Sequence, residues 1–239
     1  MRTKILARMQ NPNDSISFYR GVLPLSEMER SWGVQVDYLD TGKQIGWSTF
    51  VHYNWFFITR PCTDVELTMI KNAKIAGCRI WIDYDDDCFS IPMCNKAFSS
   101  YDENKKNNMR MALLLADAIT VTNNYLRDRL TEESGMRAHG KIFVVPNAET
   151  SFHRCNIKQK DKNKIIWRGS DTHAGDLMTY ANGIAKILEA FPDIKFEFWG
   201  WNPWVIHPLF ENKTFTVHSY PDTIQYLTAL SNCEAKVGI

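Results

Sequence analysis

The sequence predicts an α/β protein whose parallel sheets are covered by helices on both faces. Apolar runs of strand length alternate along the chain with segments of helical period. The strand segments are hydrophobic nearly throughout rather than at every second position, which is typical of parallel sheets that are buried on both sides. A charged segment from Cys155 to Lys164 has almost no apolar content and separates two such series, so it marks a domain boundary.

The first series contains six predicted strands and three predicted helices. The strands are Lys4–Met9, Val34–Leu39, Trp55–Thr59, Arg79–Asp83, Ala118–Thr122 and Lys141–Val145. The helices are Asp64–Ala76, Asn104–Ala116 and Asn124–Ser134. Gly77 and Gly135 follow two of these helices, and glycine readily takes the left-handed conformation that ends a helix. The polar segment of residues 10–24, after the first strand, is predicted to be a loop between strand and helix.

The second series begins after the charged segment. Its strands are predicted at Ile165–Trp167, Lys195–Trp199, Phe215–His218 and Ala235–Ile239, and its helices at Ala174–Phe191 and Pro221–Leu230. The longer helix carries an amphipathic stripe of Leu177, Ala181, Ile184, Leu188 and Phe191. The predicted division is therefore a first domain of residues 1–150, a linker of 151–163 and a partial second domain of 164–239. Because the sequence stops within an apolar strand, we expect a fragment or an unusually short version of a longer protein.

Composition excludes several classes of function. The 239 residues include 44% hydrophobic residues, which argues against disorder, and the formal charge of +1 gives no general electrostatic attraction to nucleic acid. Six cysteines without a CxxC pair indicate reduced thiols in a cytoplasmic protein. The apolar stretches are too short for a signal peptide or a transmembrane segment. The histidines show no ligand-like spacing, so no metal site of the zinc type is expected.

The turn after Trp167 has the composition of an anion-binding site. Gly169 and Ser170 lie between a buried strand and a helix, where free N–H groups and the positive end of the helix dipole favour an anion. Arg168 adds a cation beside them. Glycine-serine turns also occur where nothing binds. His173 is either a phosphate or sugar contact or an ordinary first-turn residue, with Thr172 as the helix N-cap.

Trp201 and Trp204 follow the next strand of this series. Their rings could stack on a base or a sugar, or they could seal the edge of the domain.

A second candidate site follows the strand at Ile80. Asp83, Asp85, Asp86 and Asp87 stand at its carboxyl end, which is the edge where open α/β sheets bind ligands. Crowded carboxylates suit general-base chemistry. The alternative is a solvated acidic loop that caps the next segment, which we favour for Asp83 and Asp87; for Asp85 and Asp86 both interpretations stay open. The D-x-D spacing also allows a site for Mg²⁺ or Mn²⁺ on a nucleotide diphosphate.

The segment after the first strand supplies Tyr19 and Arg20. In a parallel sheet this segment lies at the same edge as the acidic run, so Arg20 could meet an acceptor hydroxyl or a phosphate. A surface arginine in an ordinary loop is an equal alternative.

Four segments, taken in order, resemble a known family. They are the strand–helix–strand series from FFITRPC to AGCRIWIDYDDDCFSIP, then LLLADAITVTNNYLRDRL, KIFVVPNAE and IIWRGSDTHAGDL. The chain is similar in these segments to the GT-B glycosyltransferases of group 1, the family 4-like set found in bacteria and their phages. The resemblance covers nearly the whole chain.

The resemblance implies two Rossmann-like domains that face each other across a cleft. The first would bind the acceptor and the second a nucleotide-diphosphate sugar, the donor substrate, without a tightly bound cofactor or metal. It places Arg168, Gly169, Ser170 and His173 at the donor diphosphate, and Asp86 or Asp85 where the family has a catalytic or acceptor-contacting acid. The family's later acidic segment has no counterpart in the 239 residues.

We therefore expect a glycosyltransferase that moves a hexose-like sugar to an acceptor, which could be a carbohydrate, a protein or a lipid. Two alternatives stay open. One is a catalytically silent binding module that kept the fold and lost the donor chemistry. The other is a metal-dependent transferase that uses the cluster from Asp83 to Asp87.

Overall fold

The computed structural model describes residues 2–9, 11, 14–39, 45–148, 161–200, 216–220, 222–233 and 235–238. The chain divides into two compact units. The N-terminal unit comprises Met1–Ser90 and Tyr101–Ala148, and the C-terminal unit comprises Ile91–Ser100 and Glu149–Ile239. Each unit contains a parallel sheet with helices, so the predicted α/β class is confirmed.

The N-terminal unit is built on a six-stranded parallel sheet. Its strands are β1 (Lys4–Arg8), β2 (Gln35–Tyr38), β3 (Trp55–Thr59), β4 (Arg79–Tyr84), β5 (Ala118–Val121) and β6 (Ile142–Val144). The strand order is β2-β1-β3-β4-β5-β6, and every neighbouring pair is parallel. All six predicted strands are confirmed, with ends that differ by at most one residue. Phe56, Phe57, Ile80, Ile82 and Ile119 are fully buried in the central strands.

Three helices of this unit follow the prediction closely. They are α3 (Asp64–Ile75), α4 (Glu103–Leu115) and α5 (Asn124–Glu133). Each begins at a polar cap that satisfies a free N–H group of the first turn: Thr63, Asp102 and Asn123. At α3, the side chain of Glu66 returns the bond to the backbone of Thr63, which completes a capping box.

The predicted loop after β1 is wrong, because the segment from Ser15 is helical. It consists of a short α1 (Ser15–Ser17), a π-helical turn (Phe18–Val22) and α2 (Leu23–Trp32). The Asp14 carboxylate starts it by accepting a hydrogen bond from the backbone of Ser17 at 2.6 Å. The first two elements bury Ser17, Arg20 and Gly21 rather than large apolar side chains. This is why the sequence shows little apolar periodicity there.

The C-terminal unit has a four-stranded parallel sheet with the order β10-β7-β8-β9. Its strands are β7 (Asp161–Arg168), β8 (Lys195–Trp199), β9 (Thr216–His218) and β10 (Ala235–Gly238), and its helices are α6 (Ala174–Ala190) and α7 (Thr223–Ser231). β7 begins four residues before the predicted strand, inside the charged segment. The charged residues at the start of β7 are compatible with a strand because the neighbouring β8 offers opposite charge. Lys164 Nζ lies 3.0 Å from Glu197 Oε1.

The predicted stripe of α6 forms the core of this unit. Leu177, Ala181 and Ile184 are buried, and they pack with Leu188 against Trp167, Phe196 and Phe198 of the sheet. Phe191, the last predicted member of the stripe, is exposed and lies beyond the helix end.

The cysteines of the described segments form no disulfide. Cys62, Cys78, Cys88 and Cys233 are buried, and Cys94 is exposed. In the same segments, no helix is long and apolar enough to cross a membrane.

The capping box of α3 generates a prediction about stability. We expect Thr63→Val to lower the free energy of unfolding by about 1 kcal/mol, because α3 then loses the acceptor for its Glu66 N–H. Thr68→Val is the matched control, since the exposed Thr68 hydroxyl only donates to the Asp64 carbonyl of the same helix. Urea unfolding measures both variants, and equal stabilities for the two would contradict the capping argument.

Candidate functional site

Asp83 is the buried member of the acidic run. It lies within β4, and its carboxylate accepts hydrogen bonds from Arg20 Nε (3.0 Å), from Arg20 Nη2 (2.6 Å) and from the Thr120 hydroxyl (2.5 Å). Burial raises the pKa of Asp83, while Arg20 and Thr120 act in the opposite direction. The interpretation of Asp83 as part of a solvated loop is therefore wrong, because β4 continues through Tyr84 and keeps Asp83 inside the sheet.

Arg20 ties three segments of the N-terminal unit together. Besides its paired bonds to Asp83, its Nη1 donates to the Val145 carbonyl at 2.6 Å and to Asn147 Oδ1 at 3.1 Å. The side chain is buried, so the surface-arginine interpretation is wrong. The bonds to Asp83, Val145 and Asn147 explain the position of Arg20 without a ligand. Contact of Arg20 with an acceptor substrate stays a prediction. Tyr19 packs edge-to-face on Phe18, with ring centroids 5.4 Å apart.

Asp85 and Asp86 share a partner that sequence reasoning missed. Arg60, the residue after β3, donates through Nε and Nη2 to the two oxygens of Asp85, the second bond being 2.6 Å long. Nη2 also donates to Asp86 Oδ2 at 2.7 Å. Since β3 and β4 are adjacent and parallel, with Thr59 in register with Asp83, residue 60 must emerge beside the acidic run. The signal available in the sequence was that Arg60 directly follows one predicted strand, as the acidic run follows the next.

Arg60 holds an unusual backbone conformation. Its φ is 45°, in the left-handed region, which costs about 1–2 kcal/mol for a residue with a side chain. The backbone N–H donates to the Asp83 carbonyl at 2.9 Å, and the two carboxylates hold the guanidinium. Burial acts to lower the pKa of Arg60, but hydrogen bonding and the charges of Asp85 and Asp86 raise it above its usual value. Strain of this kind is often found at functional sites.

The four carboxylates differ strongly in exposure. The exposed fraction of the side chain is 3% for Asp83, 13% for Asp85 and 69% for Asp86. Asp87 caps the segment that follows, as predicted, because its Oδ1 accepts from the backbone of Phe89 and of Ser90 at 3.1 and 3.2 Å. Asp86 is therefore the member of the run that offers most of its carboxylate to solvent.

The acidic run is poorly suited to a metal ion. Arg20 and Arg60 already occupy the oxygens of Asp83 and Asp85, and their positive charges disfavour a nearby cation. Across the described segments, no group of three or more His, Cys, Asp or Glu side chains is arranged to hold a metal.

The polar turn of the C-terminal unit lies at the carboxyl end of β7. Arg168 is exposed there, and its Nη1 is 3.4 Å from the Tyr226 hydroxyl. Gly169 donates to the Trp199 carbonyl at 3.1 Å, and an added Cβ on it would lie 2.7 Å from the Trp167 ring. The glycine is thus required by the Trp167 ring, whether or not a ligand approaches.

Ser170 and His173 are also exposed at this turn. The hydroxyls of Ser170 and Thr172 are 2.6 Å apart, and His173 Nδ1 is 2.9 Å from Asp176 Oδ2. Thr172 is not the N-cap of α6; His173 takes that position and its side chain forms no capping hydrogen bond. Ser170 and His173 therefore lie beside a helix start that no side chain caps, whereas the contact of Arg168 is with Tyr226 of α7.

Sequence reasoning also missed an aromatic cluster at this edge. The ring of Trp199, the last residue of β8, is 5.1 Å from His218, 5.5 Å from Tyr220 and 6.4 Å from Tyr226. Beneath it, Glu197 accepts a hydrogen bond from Trp199 Nε1 at 3.0 Å. The signal in the sequence was Trp199, an aromatic residue at the end of a predicted strand. Trp201 and Trp204, the predicted stacking residues, lie outside the described residues.

Comparisons with known proteins establish the fold. No protein-family model matches the chain, and a search of the curated proteins finds no match. Among solved structures, a Listeria monocytogenes protein assigned to the UDP-N-acetylglucosamine 2-epimerases aligns with 100% of this chain and 74% of its own, at 13% identity and a TM-score of 0.59. The UDP-GlcNAc 2-epimerase of Neisseria meningitidis, solved with UDP-GlcNAc, aligns with 99% of this chain and 77% of its own, at 12% identity and a TM-score of 0.54.

A glycosyltransferase is also similar in fold. The pneumococcal O-GlcNAc transferase GtfA, solved with UDP and GlcNAc, covers 73% of this chain and 37% of its own, at 10% identity and a TM-score of 0.50. The chain has the GT-B fold. At these identities the likeness establishes the architecture and leaves the reaction open.

Within the GT-B fold, both polar sites lie where ligands are expected. Open α/β sheets bind ligands beyond the carboxyl ends of their strands. Arg60 and the acidic run stand at that edge of the N-terminal sheet, and the turn at Arg168 stands at that edge of the C-terminal sheet.

The buried ion pair generates a prediction about stability. We expect Asp83→Asn to lower the free energy of unfolding by about 3–5 kcal/mol, because it leaves the buried Arg20 charge uncompensated. Asp86→Asn is the matched control in the same run, and its exposed position predicts a loss below about 1 kcal/mol. Guanidinium unfolding compares the two; a similar small loss for both variants would show that the Arg20–Asp83 pair is not a structural requirement.

Proposed function

We propose that this chain is a glycosyltransferase that moves a sugar from a nucleotide diphosphate to an acceptor hydroxyl. The observation that carries the proposal is the exposed polar turn at Arg168, which precedes the uncapped start of α6. The GT-B fold supports it, since the fold neighbours include proteins solved with UDP-GlcNAc or with UDP and GlcNAc. In this proposal the C-terminal unit binds the donor and the N-terminal unit binds the acceptor.

The donor diphosphate would bind at the start of α6. A 3-10 turn (Asp171–His173) leads into α6, and the Ala174 N–H donates to the Asp171 carbonyl, so the N–H groups without a helical partner are those at the start of this turn. The 17-residue α6 adds the positive end of its dipole. Arg168, at the end of β7, would contribute its guanidinium to the diphosphate, and the Ser170 hydroxyl and the His173 ring would add donors. Charge grows on the leaving diphosphate during transfer, so these groups stabilise the transition state more than the ground state.

The acceptor would meet Asp86. Its carboxylate is largely exposed, and Arg60 fixes one of its oxygens, so the other is free to accept the proton of a hydroxyl group. Asp85 holds the other side of the Arg60 guanidinium and thereby positions it. Asp86 would orient or deprotonate the acceptor, and Arg60 would act as the residue that positions Asp86.

The two alternatives from the sequence differ in their structural support. A metal-dependent transferase needs free oxygens in the acidic run, and the arginine pairs occupy those of Asp83 and Asp85. A catalytically silent binding module would retain the turn at Arg168 and differ only in turnover. Binding and turnover are therefore measured separately.

Nucleotide binding is the first test. We expect calorimetric titration with UDP, GDP and ADP to show saturable binding of at least one of them, and Arg168→Gln to weaken it by about 10-fold or more, as for a lost charge-assisted hydrogen bond. Lys186→Gln is the control, because it removes an exposed positive charge further along α6. Equal affinities for both variants would remove Arg168 from the donor site, and absence of binding by the native chain would overturn the proposal.

Turnover is the second test. With a nucleotide sugar and a panel of carbohydrate acceptors, we expect Asp86→Asn to lower kcat by about 10²–10⁴-fold while donor affinity is unchanged, because general-base catalysis contributes that much. Asp128→Asn, an exposed acid on α5, is the control. Binding without any turnover would support the silent module. Conversion of the nucleotide sugar alone, without an acceptor, would favour an epimerase instead.

A further inference from the structure

The carboxyl end of β1 carries an arginine, two of whose nitrogen atoms have no hydrogen-bond acceptor among the described residues. Arg8 is the last residue of the strand, and 13% of its side chain is exposed. Its Nε and Nη1 atoms are buried and have no hydrogen-bond partner among the residues that the structure describes. The carboxylate facing it is Glu66, whose Oε1 lies 3.9 Å from Nε, which is too far for a hydrogen bond.

Glu66 is held away from Arg8 by another role. Its Oε2 accepts hydrogen bonds from the backbone N–H groups of Cys62 and Thr63 at 2.9 and 3.0 Å, and from the Thr63 hydroxyl at 2.9 Å. Turning toward Arg8 would break the capping box of α3. Glu66 therefore compensates the Arg8 charge only at a distance and leaves its donors unmet.

The other arginines at this edge show what a satisfied guanidinium looks like. Arg20 makes two hydrogen bonds to Asp83, and Arg60 makes two to Asp85. A buried donor without a partner costs about 1–3 kcal/mol, and more when it is charged. Such a group in a native fold calls for an explanation, of which a bound ion is one.

We propose that Arg8 binds an oxyanion of the phosphate or carboxylate class at the carboxyl end of β1. The guanidinium presents its N–H groups in the fork that matches these anions. β1 lies between β2 and β3 in the sheet, so its carboxyl end belongs to the ligand-binding edge. Because Nε and Nη1 are out of contact with solvent, the guanidinium turns toward the open edge when the anion binds.

The anion site narrows the acceptor of the proposed reaction. If the N-terminal unit binds the acceptor, that acceptor carries a phosphate or a carboxylate; this step rests on the proposed function, whereas anion binding at Arg8 does not. The two are separable by experiment, since inorganic phosphate tests the site without any sugar substrate.

The experiment is an NMR titration of the whole chain that follows the arginine Nε–H resonances. Inorganic phosphate and acetate are added in separate arms at constant ionic strength, and the Arg8 signal is assigned by its loss in Arg8→Lys. Both arms use an Arg168→Gln background, which weakens anion binding at the proposed diphosphate site. Arg30, which is exposed and paired with Glu27 on α2, is the control signal.

We expect the Arg8 resonance to shift saturably with one or both anions while the Arg30 resonance does not. Arg8→Gln should weaken anion affinity by at least 10-fold, and Arg30→Gln should leave it unchanged. The preferred anion identifies the group as phosphate or carboxylate. An Arg8 signal that stays fixed in both arms, or that shifts in parallel with Arg30, would overturn the proposal. If Arg8→Gln does not fold, the titration of the chain that keeps Arg8 still tests whether Arg8 binds an anion.

Discussion

The ion pair between Arg20 and Asp83 is the interaction on which the N-terminal site depends. Both side chains are buried, and two hydrogen bonds join them, at 2.6 and 3.0 Å. Through Arg20 the pair fixes the helical segment after β1 and the chain after β6 against β4. Since a buried charge is tolerated only with a well-placed partner, the pair holds these two segments against the carboxyl end of β4.

Pairing with arginine also assigns different roles to similar residues. Asp83 is paired with the buried Arg20, and Asp85 is paired with Arg60. Asp86 keeps most of its carboxylate exposed. A run of four acids thus presents one accessible carboxylate rather than a negatively charged surface. The arginines that pair with Asp83 and Asp85 disfavour binding of a cation at this run.

The fold was largely predictable because hydrophobic strands and amphipathic helices are local patterns. The strands of the N-terminal sheet lie within one residue of their predicted ends. The segment from Ser15 was missed because it buries Ser17 and Arg20, and polar residues carry no apolar period. The partners of the site were missed for a different reason. Arg60 is 25 residues from Asp85, and only the pairing of β3 with β4 brings them together.

The aromatic cluster of the C-terminal unit shows the same limit. Trp199 belongs to β8 and Tyr226 to α7, which connects β9 to β10 at opposite edges of the sheet and thereby brings the two residues together. Composition alone drew attention to Trp201 and Trp204 instead. Residue type predicted which kinds of side chain lie at the strand ends, and the register between strands determines which of them meet.

A crystal structure of the chain with a bound nucleoside diphosphate tests the central claim most directly. The account predicts the diphosphate within hydrogen-bond distance of the N–H groups at the start of the turn that leads into α6 and of the Arg168 guanidinium, with Asp86 paired to Arg60 and without a metal bridge to the acidic run. A diphosphate held by Asp83–Asp87 through a metal ion, or bound away from α6, would contradict it.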